Sequence, residues 1–263
     1  MPVDYDLKGK VIALTGAASG IGFQTSLLLA RQGACLSIAD ISEDALREKT
    51  AEIEAVSTGK ILATVVDVRK DESVNAWIAK TVETFGQLDG AVNLAGVIPK
   101  VINKERVEDL NNEDWHFVMD VNLHGVMYCM RAQLQHMKEK GSLVNAASIC
   151  GVIGFPKNAA YTASKHAVVG LSRTAAKEVG DREIRVNCIA PGMIEGPMQQ
   201  KSVAARGGEQ VWKQQLQRRG TPQEVAALIA WLLCDDTQYI TGTVQIIDGG
   251  WVPEFWSSGT AAR

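Results

Sequence analysis

The segment "YTASK", residues 161–165, places a tyrosine and a lysine four residues apart in a stretch whose pattern predicts a helix. Residues at this spacing lie on one helix face, so Tyr161 and Lys165 should project toward the same cavity. A tyrosine hydroxyl has a pKa of about 10 and is a poor base at neutral pH, but a nearby ammonium stabilises the phenolate and lowers that pKa. Tyr161 could then act as a general base toward an alcohol or as a general acid toward a ketone.

A serine could share this site. Ser148 follows a predicted strand, and the carboxyl ends of parallel strands form the working edge of an α/β sheet. Its hydroxyl could hold a substrate oxygen beside Tyr161 as charge moves in the transition state. Each residue also has an ordinary structural explanation. Ser148 could cap the strand end, and a Tyr/Lys pair at this spacing often lies on a solvated helix face.

A glycine-rich segment, "TGAASGIG", follows the first predicted strand and leads into the first predicted helix. Gly16, Gly20 and Gly22 would let the backbone approach a pyrophosphate and present amide N–H groups at the positive end of a helix. The spacing alone is a weak signal, because any tight strand-to-helix turn uses glycine. Its position in the first unit of the chain favours a phosphate-binding loop.

Asp40 ends the second predicted strand, about 20 residues beyond this loop. A carboxylate there can accept hydrogen bonds from the ribose hydroxyls of adenosine and would repel a 2′-phosphate. Ala17, Ala18 and Ile41 offer no positive charge to that phosphate, so the sequence favours NAD(H) over NADP(H). The alternative is that Asp40 is a turn residue before the following helix.

These residues need elements that bring them together. Short β-branched runs alternate with longer amphipathic segments, which is the pattern of βαβ units in a parallel sheet. We predict strands at 11–16, 35–40, 61–66, 90–95, 142–147, 184–190 and 243–248. We predict helices at about 20–32, 42–57, 71–84, 112–138, 158–179 and 222–234, with Ser42 and Thr221 as N-caps.

The pattern predicts an α/β fold of the Rossmann type, a doubly wound, seven-stranded parallel sheet with helices on both faces. No linker or repeat interrupts the chain, so we predict one domain spanning residues 1–263. Residues 192–219, which are polar and rich in Gln and Gly, are predicted to form a mobile substrate flap rather than a core element.

The composition disfavours several function classes. A net charge of −3 and a pI of about 5.9 provide no basic field for nucleic acid. The five cysteines are far apart and show no metal-ligand spacing, so we expect buried thiols in a reducing compartment and no metal site. The N-terminus lacks an apolar secretion segment, and "ALIAWLLC" is far shorter than the roughly 20 residues of a membrane helix. We therefore expect a cytoplasmic protein without nucleic-acid or membrane partners.

These motifs, together with "NLAG" at 93–96, "VNLHG" at 121–125 and "PG" at 191–192, resemble those of the short-chain dehydrogenase/reductase family, in its single-domain branch. The resemblance runs in order along nearly the whole chain. It implies a Rossmann fold that binds a nicotinamide cofactor, usually a homotetramer, and hydride exchange between that cofactor and an alcohol or carbonyl.

The resemblance implies four catalytic residues, namely Asn122, Ser148, Tyr161 and Lys165. Asn122 would bend the long helix and hold a water of a proton relay, and Lys165 would also bond the nicotinamide ribose. Alone, Asn122 would be a helix-surface residue. The four types in the family's order, behind a glycine loop, favour a site over four separate structural explanations.

The cofactor residues follow from the same resemblance. Asp67 and Val68 would contact the adenine edge, and Pro191 would begin a segment that covers the nicotinamide. Leu94 departs from the usual "NNAG" pattern, and Gly196 replaces a common threonine, which removes a possible hydrogen bond to the carboxamide. The full predicted set is Gly16, Ser19, Gly20, Ile21, Gly22, Asp40, Ile41, Asp67, Val68, Asn93, Ala95, Gly96, Tyr161, Lys165, Pro191, Gly192 and Ile194.

The side chains expected to wall the substrate are largely apolar and include no arginine that could clamp a carboxylate or phosphate. This favours an uncharged, hydrophobic secondary alcohol or ketone, such as a terpenoid, steroid or polyketide-like compound. The C-terminal aromatics Trp251, Phe255 and Trp256 are expected at a subunit interface rather than at the substrate. The predicted wall residues are Ile98, Ile149, Cys150, Phe155, Met193, Met198 and Trp212.

Three function hypotheses result. The first is an NAD-dependent alcohol dehydrogenase or ketone reductase. The second is a non-redox use of the fold, as a cofactor-binding regulator or as a cyclase or isomerase; such proteins can lose the tyrosine or lysine, and this chain keeps both. The third, a sugar-nucleotide epimerase, would need a different glycine spacing and a C-terminal substrate domain for which the chain is too short.

Overall fold

The computed structural model describes residues 4–208 and 214–252, and of Arg206 only the backbone. Trp212, Phe255 and Trp256 therefore lie outside the described residues. Strands β1–β7 cover Val11–Thr15, Cys35–Asp40, Ile61–Val65, Gly90–Asn93, Ser142–Ala146, Arg185–Pro191 and Val244–Ile247. Helices α1–α8 cover Gly20–Arg31, Glu43–Glu54, Asp71–Phe85, Asn112–Met119, Gly125–His136, Ala159–Glu178, Pro197–Arg206 and Pro222–Leu233.

The seven strands form one parallel sheet with the order β3-β2-β1-β4-β5-β6-β7. The chain winds outward from β1 to β3 and then crosses to β4 on the other side of β1. This reversal confirms the predicted doubly wound, seven-stranded Rossmann-type fold. Loops that follow the two strands at such a switch point diverge and leave a crevice at the carboxyl edge of the sheet.

Helices cover both faces of the sheet, and its central strands therefore consist largely of apolar residues. Every residue of β1 and of β6 is buried, whereas the edge strand β3 contains no buried residue. One core cluster joins the sheet to α3, α5 and α6, and a second joins it to α1, α2 and α8. All five cysteines are free thiols, and four of them are buried. The described helices include none that is both long and apolar enough to cross a bilayer.

The helix predicted at 112–138 is interrupted. The chain forms α4, then a π-helical turn over Asp120–His124, and then α5. In that turn the Gly125 N–H donates to the Asp120 carbonyl, five residues back. A π turn inserts one extra residue into the helix and often marks a functional position. The sequence pattern predicts one continuous helix over this range and does not indicate the π turn.

The flap region contains a helix that we did not predict. Helix α7 occupies Pro197–Arg206, with Pro197 at its first position and Gly207 in a left-handed conformation at its end. These two residue types at these positions are ordinary signals of a helix start and stop, and they could have indicated it. Of the predicted N-caps, Thr221 accepts a hydrogen bond from the Glu224 N–H, whereas the Ser42 side chain makes no cap bond.

Candidate active site

The glycine loop lies at the switch point of the sheet. Gly16 has a φ of +74°, and a Cβ there would lie 2.9 Å from the Ala95 backbone nitrogen. A Cβ on Gly22 would lie 2.0 Å from the Gly16 carbonyl oxygen. Both positions therefore require glycine, and the loop can fold tightly only without side chains. Of the other predicted loop residues, Ser19 is exposed at the N-cap of α1 and Ile21 is half-buried.

Thr15 holds the two sides of this crevice together. Its buried hydroxyl oxygen accepts hydrogen bonds from the Leu94 and Ala95 N–H groups, each at 3.2 Å. The end of β1 is thereby tied to the segment after β4. We did not predict this role, because a threonine at the end of a strand has many ordinary uses.

Asp40 lies beside the glycine loop. Its carboxylate accepts a hydrogen bond from the Ala18 N–H at 3.0 Å and another from the Ser42 N–H at 3.0 Å. The bond to Ser42 is the turn-forming role that we considered as the alternative, and the bond to Ala18 attaches the carboxylate to the loop. The next residue, Ile41, is exposed. The carboxyl end of β2 therefore presents a negative group and an apolar group next to the loop.

Asp67 follows β3 and forms a bidentate pair with Arg69. The guanidinium donates to its two carboxylate oxygens at 2.8 and 2.7 Å. These hydrogen bonds hold the pKa of Asp67 below its usual range. Val68 packs against Gly125, where a Cβ would lie 2.8 Å from a Val68 methyl group.

The Asn93 side chain is directed into the protein core. Its amide exchanges two hydrogen bonds of 2.9 Å with the Gln133 amide and donates a third to Asn145 at 2.9 Å. Asn145 in turn donates to Ser172 at 2.8 Å. All four residues are buried. Asn93 therefore links β4, β5 and α5 through its side chain, and only its backbone remains for the crevice.

Asn122 lies within the π turn and is fully buried. Its side-chain oxygen accepts from the Val97 N–H at 2.8 Å, and its amide donates to the Val97 carbonyl at 2.9 Å and to Ser164 at 3.3 Å. Gly96 separates this residue from Lys165, because a Cβ on Gly96 would lie 3.3 Å from the Asn122 oxygen and 3.6 Å from Lys165 Nζ. The π turn thus fixes the loop after β4 against the first half of α6.

Ser148 lies close enough to Tyr161 to influence the pKa of its hydroxyl. Ser148 is extended and buried just beyond β5, where its oxygen accepts from the Cys150 N–H at 3.2 Å. Burial raises the pKa of the half-buried Tyr161 hydroxyl, the nearby Cys150 thiol raises it further, and the Ser148 side chain opposes both effects. The hydroxyl is therefore protonated at neutral pH in the free protein.

Lys165 does not set the pKa of Tyr161 as we expected. Its ammonium lies 5.6 Å from the centroid of the Tyr161 ring and donates to the Ala146 carbonyl at 2.8 Å. The side chain is only 4% exposed, and burial lowers its own pKa to about 8, against smaller opposing effects of Cys188 and Cys150. The predicted lowering of the Tyr161 pKa was wrong for the free protein, because burial of the hydroxyl has the larger effect.

The base of the flap is held against the sheet and the glycine loop. The Gly192 N–H donates to the Ile247 carbonyl at 2.9 Å, and Ile194 pairs with Gly220. Gly196 has a φ of +139° and lies against the loop, since a Cβ there would be 3.9 Å from Gly20 Cα. That φ strains any residue with a side chain, which gives a physical reason for glycine in place of threonine.

The predicted substrate-wall residues differ in exposure. Ile149 and Cys150 are buried in a short turn after Ser148, whereas Ile98, Phe155 and Met193 are half-buried and Met198 is exposed. The Phe155 ring packs against Trp251, with ring centroids 6.0 Å apart and planes inclined by 59°. Trp251 was expected at a subunit interface. In the structure it contacts the loop that leads from Ser148 to Tyr161.

Other chemistry-bearing residues lie apart from this site. The histidines at 124, 136 and 166 each bond a residue four positions earlier on their own helix. Over residues 4–208 and 214–252, no group of three His, Cys, Asp or Glu side chains could hold a metal ion.

Comparison with known proteins identifies the relatives of this chain. Residues 16–252 match the family model described as enoyl-(acyl carrier protein) reductase. The chain is 49% identical over 248 residues to the short-chain dehydrogenase/reductase aba4 of Botryotinia fuckeliana (strain B05.10), covering 92% of this chain and 96% of that protein. It is 38% identical over 244 residues to the cyclohexanol dehydrogenase of Acinetobacter sp. (strain SE19), covering 92% and 94%. The crystal structure of levodione reductase superposes with a TM-score of 0.90 at 35% identity, covering 95% and 100%.

The relatives include dehydrogenases and reductases of alcohols and ketones. Similar solved structures contain either nicotinamide cofactor, NADP in ElxO and NAD⁺ in a xylitol dehydrogenase. The glycine crevice, the Tyr161–Lys165 pair and the parallel sheet thus occur in a chain that matches these proteins over more than nine-tenths of its length. The chain belongs to the short-chain dehydrogenase/reductase family, which comprises oxidoreductases that bind a nicotinamide cofactor.

Proposed function

We propose that this protein is an NAD-dependent oxidoreductase that transfers a hydride between the nicotinamide and an uncharged secondary alcohol or ketone on a six-membered carbocycle. The observation that carries the proposal is the arrangement of Tyr161 and Lys165 next to Ser148 and Asn122, at the carboxyl edge of the sheet and beside the glycine crevice. The carbocycle rests on the similarity to cyclohexanol dehydrogenase and on the apolar side chains near Ser148.

The residues present fit a dinucleotide. Gly16 and Gly22 form a turn that any Cβ would fill, and the N-termini of α1 and α7 both begin next to this turn. Helix N-termini offer unpaired N–H groups and a positive end to phosphate groups. The segment from Gly192 to Gly196 would cover the nicotinamide, as the resemblance implies.

The proton that accompanies hydride transfer passes through the Tyr161 hydroxyl oxygen. When bound, the nicotinamide supplies the hydride to a carbonyl carbon or accepts it from an alcohol carbon. In reduction, the Tyr161 hydroxyl donates its proton to the substrate oxygen, and in oxidation the Tyr161 oxygen receives that proton. Ser148 holds the substrate oxygen in both directions. A tyrosine hydroxyl is protonated at neutral pH, and burial raises the pKa of Tyr161 further, so this residue already carries the proton that reduction requires.

Lys165 provides the positive charge that the oxidative direction requires. With a pKa of about 8, its ammonium is largely charged at neutral pH, and within the described part of the chain it donates a hydrogen bond to the Ala146 carbonyl alone. It can therefore donate further hydrogen bonds to the nicotinamide ribose. Its charge also favours the Tyr161 phenolate when that hydroxyl loses its proton.

Asp40 supports NAD over NADP. Its carboxylate is fixed to the loop by the Ala18 N–H, so a 2′-phosphate placed there would meet a negative charge. A ribose with two free hydroxyls would instead donate hydrogen bonds to it.

The experiment is a steady-state assay that follows NADH absorbance with cyclohexanol, cyclohexanone and substituted ring alcohols, and with NAD and NADP in parallel. We expect turnover with NAD and its loss in Tyr161→Phe, while NADH binding measured by fluorescence persists. Tyr239→Phe is the matched control, because Tyr239 is fully exposed. Turnover retained in Tyr161→Phe would reject the assigned acid–base residue, and a preference for NADP would reject the role of Asp40.

We also propose that the protein is a homo-oligomer, as the resemblance implies for a tetramer. The edge strand β7 presents Ile246, and helix α8 presents Trp231, both partly exposed to solvent. Apolar side chains at an unpaired sheet edge favour contact with a second copy. Light scattering coupled to size exclusion should give a mass of at least twice 28.4 kDa, and a monomer at micromolar concentration would contradict this proposal.

A further inference from the structure

Trp251 connects the carboxyl ends of β5 and β7, two strands that are not neighbours in the sheet. It follows β7 by four residues, and its partner Phe155 lies in the loop after β5. β6 separates these strands in the sheet, so their ends are about 10 Å apart. The contact between the two rings therefore bridges the carboxyl end of β6, where Ser148 approaches the Pro191 carbonyl at 3.5 Å.

The turn before Trp251 fixes the direction of the backbone at this residue. Gly249 and Gly250 have φ values of +67° and +86°, so the chain reverses sharply after β7. The Asp248 carboxylate accepts hydrogen bonds from the Gly250 N–H at 2.8 Å and from the Val252 N–H at 2.7 Å. These two bonds span Trp251 on both sides and hold its backbone in place.

This turn is also connected to the flap and to the end of β6. The Leu216 N–H donates to the Gly249 carbonyl at 2.9 Å. A Cβ on Gly192 would lie 2.8 Å from Asp248 Cβ, so the two segments are in direct contact. The returning part of the flap and the segment after Pro191 thus share one support with Trp251.

The two rings leave apolar surface for a ligand. With centroids 6.0 Å apart and planes inclined by 59°, neither ring stacks its whole face on the other. Both side chains are half-buried. Phe155 lies seven residues after Ser148 and six before Tyr161, so the pair belongs to the loop that positions both residues.

We propose that the Phe155–Trp251 pair forms the wall that recognises the carbocycle of the substrate, with Trp251 as a specificity-determining residue. This inference rests on the proposed function, and it assigns a recognition role to a tryptophan from beyond the last strand. The aromatic faces would contact the ring carbons remote from the reacting carbon. An open-chain secondary alcohol would fill this space poorly and gain less from the contact.

The test compares kcat/KM for cyclohexanol and for 2-butanol in the wild type, Trp251→Ala and Trp251→Phe. Loss of an aromatic contact should reduce kcat/KM for cyclohexanol about tenfold, through a higher KM, and should change kcat/KM for 2-butanol little. Trp251→Phe should restore most of the kcat/KM that Trp251→Ala loses for cyclohexanol. Phe155→Leu should reproduce the effect if Trp251→Ala fails to fold, and Tyr239→Ala is the aromatic control on an exposed surface.

Equal losses for both alcohols in Trp251→Ala, or no loss for either, would overturn the inference. Binding is measured separately by saturation-transfer NMR with cyclohexanone and NAD⁺-loaded protein, because a ketone and the oxidised cofactor cannot exchange a hydride. A wild type that binds the ring but oxidises no alcohol would reject the proposed function and leave the inference standing, provided that Trp251→Ala weakens the binding. Equal binding to both proteins would reject the inference whatever the activity.

Discussion

Replacing Lys165 with methionine should change how the stability of the protein depends on pH. Methionine keeps a side chain of similar length but removes the ionisable group. Burial lowers the pKa of Lys165 from 10.5 to about 8 in the folded protein. The folded and unfolded chains both bind this proton at low pH, and both have lost it at high pH. Between the two pKa values only the unfolded chain binds it, so the free energy of unfolding rises with pH in that window.

Each pH unit between the two pKa values corresponds to about 1.4 kcal/mol, so the whole window corresponds to about 3 kcal/mol. The difference in unfolding free energy between wild type and Lys165→Met should therefore rise by up to about 3 kcal/mol from pH 8 to pH 10.5. Other titrating groups cancel in this difference. Near neutral pH the two proteins should be closer in stability, because methionine loses the bond to Ala146 but removes a buried charge.

The assay is urea unfolding followed by circular dichroism, at pH values from about 7 to about 10.5. Lys177→Met is the matched control, since Lys177 is an exposed lysine on the same helix and has no burial cost to lose. Turnover should disappear in Lys165→Met and persist in Lys177→Met. If the wild type and Lys165→Met show parallel pH profiles, burial does not control the ionisation of Lys165 and the reasoning is wrong.

Three further outcomes can be measured. Asp40→Ala should raise kcat/KM for NADP relative to NAD by about tenfold or more, because one negative charge at the 2′-position is removed; an unchanged ratio would place the discrimination elsewhere. Gly196→Ala should cost about 1–3 kcal/mol of stability, because φ at this position is +139°. The control Gly170→Ala, in α6 with open space around it, should gain up to about 1 kcal/mol. Equal melting temperatures for these two variants would contradict the strain at Gly196. Gln133→Leu should lose about 2–4 kcal/mol, because the buried Asn93 amide loses two of its three hydrogen bonds, and a melting temperature unchanged by this variant would show that the network adds no stability.

The sheet was predictable because a strand covered on both faces consists of a short apolar run, and such a run is visible in the sequence. Five of the seven predicted strands begin at the observed residue, and the other two, at 184–190 and 243–248, begin one residue before it. The glycine loop was equally visible, since a turn without room for a Cβ admits only glycine. Helix α7 was missed because polar composition was given more weight than its start and stop residues.

The direction of a side chain and the burial of a group depend on contacts between distant segments. Asn93 belongs to a motif in the sequence, but the amides of Gln133 and Asn145 direct it into the core. At the π turn, Asn122 makes tertiary contacts with Val97 and Ser164 that local periodicity does not record. Trp251 meets Phe155 because two strand ends are adjacent to β6 in the sheet, although 96 positions separate the residues in the chain.

The sequence by itself determined the fold class, the nucleotide loop and the residue types that can move a proton. Those features depend on local patterns, namely apolar periodicity, glycine spacing and the spacing of two residues on one helix face. The tertiary structure decided how far the pKa values of Tyr161 and Lys165 depart from their ordinary values, because burial at the carboxyl edge of the sheet raises one and lowers the other. Desolvation is a property of the whole surrounding volume, and residues from β5, β6 and α6 create that volume together.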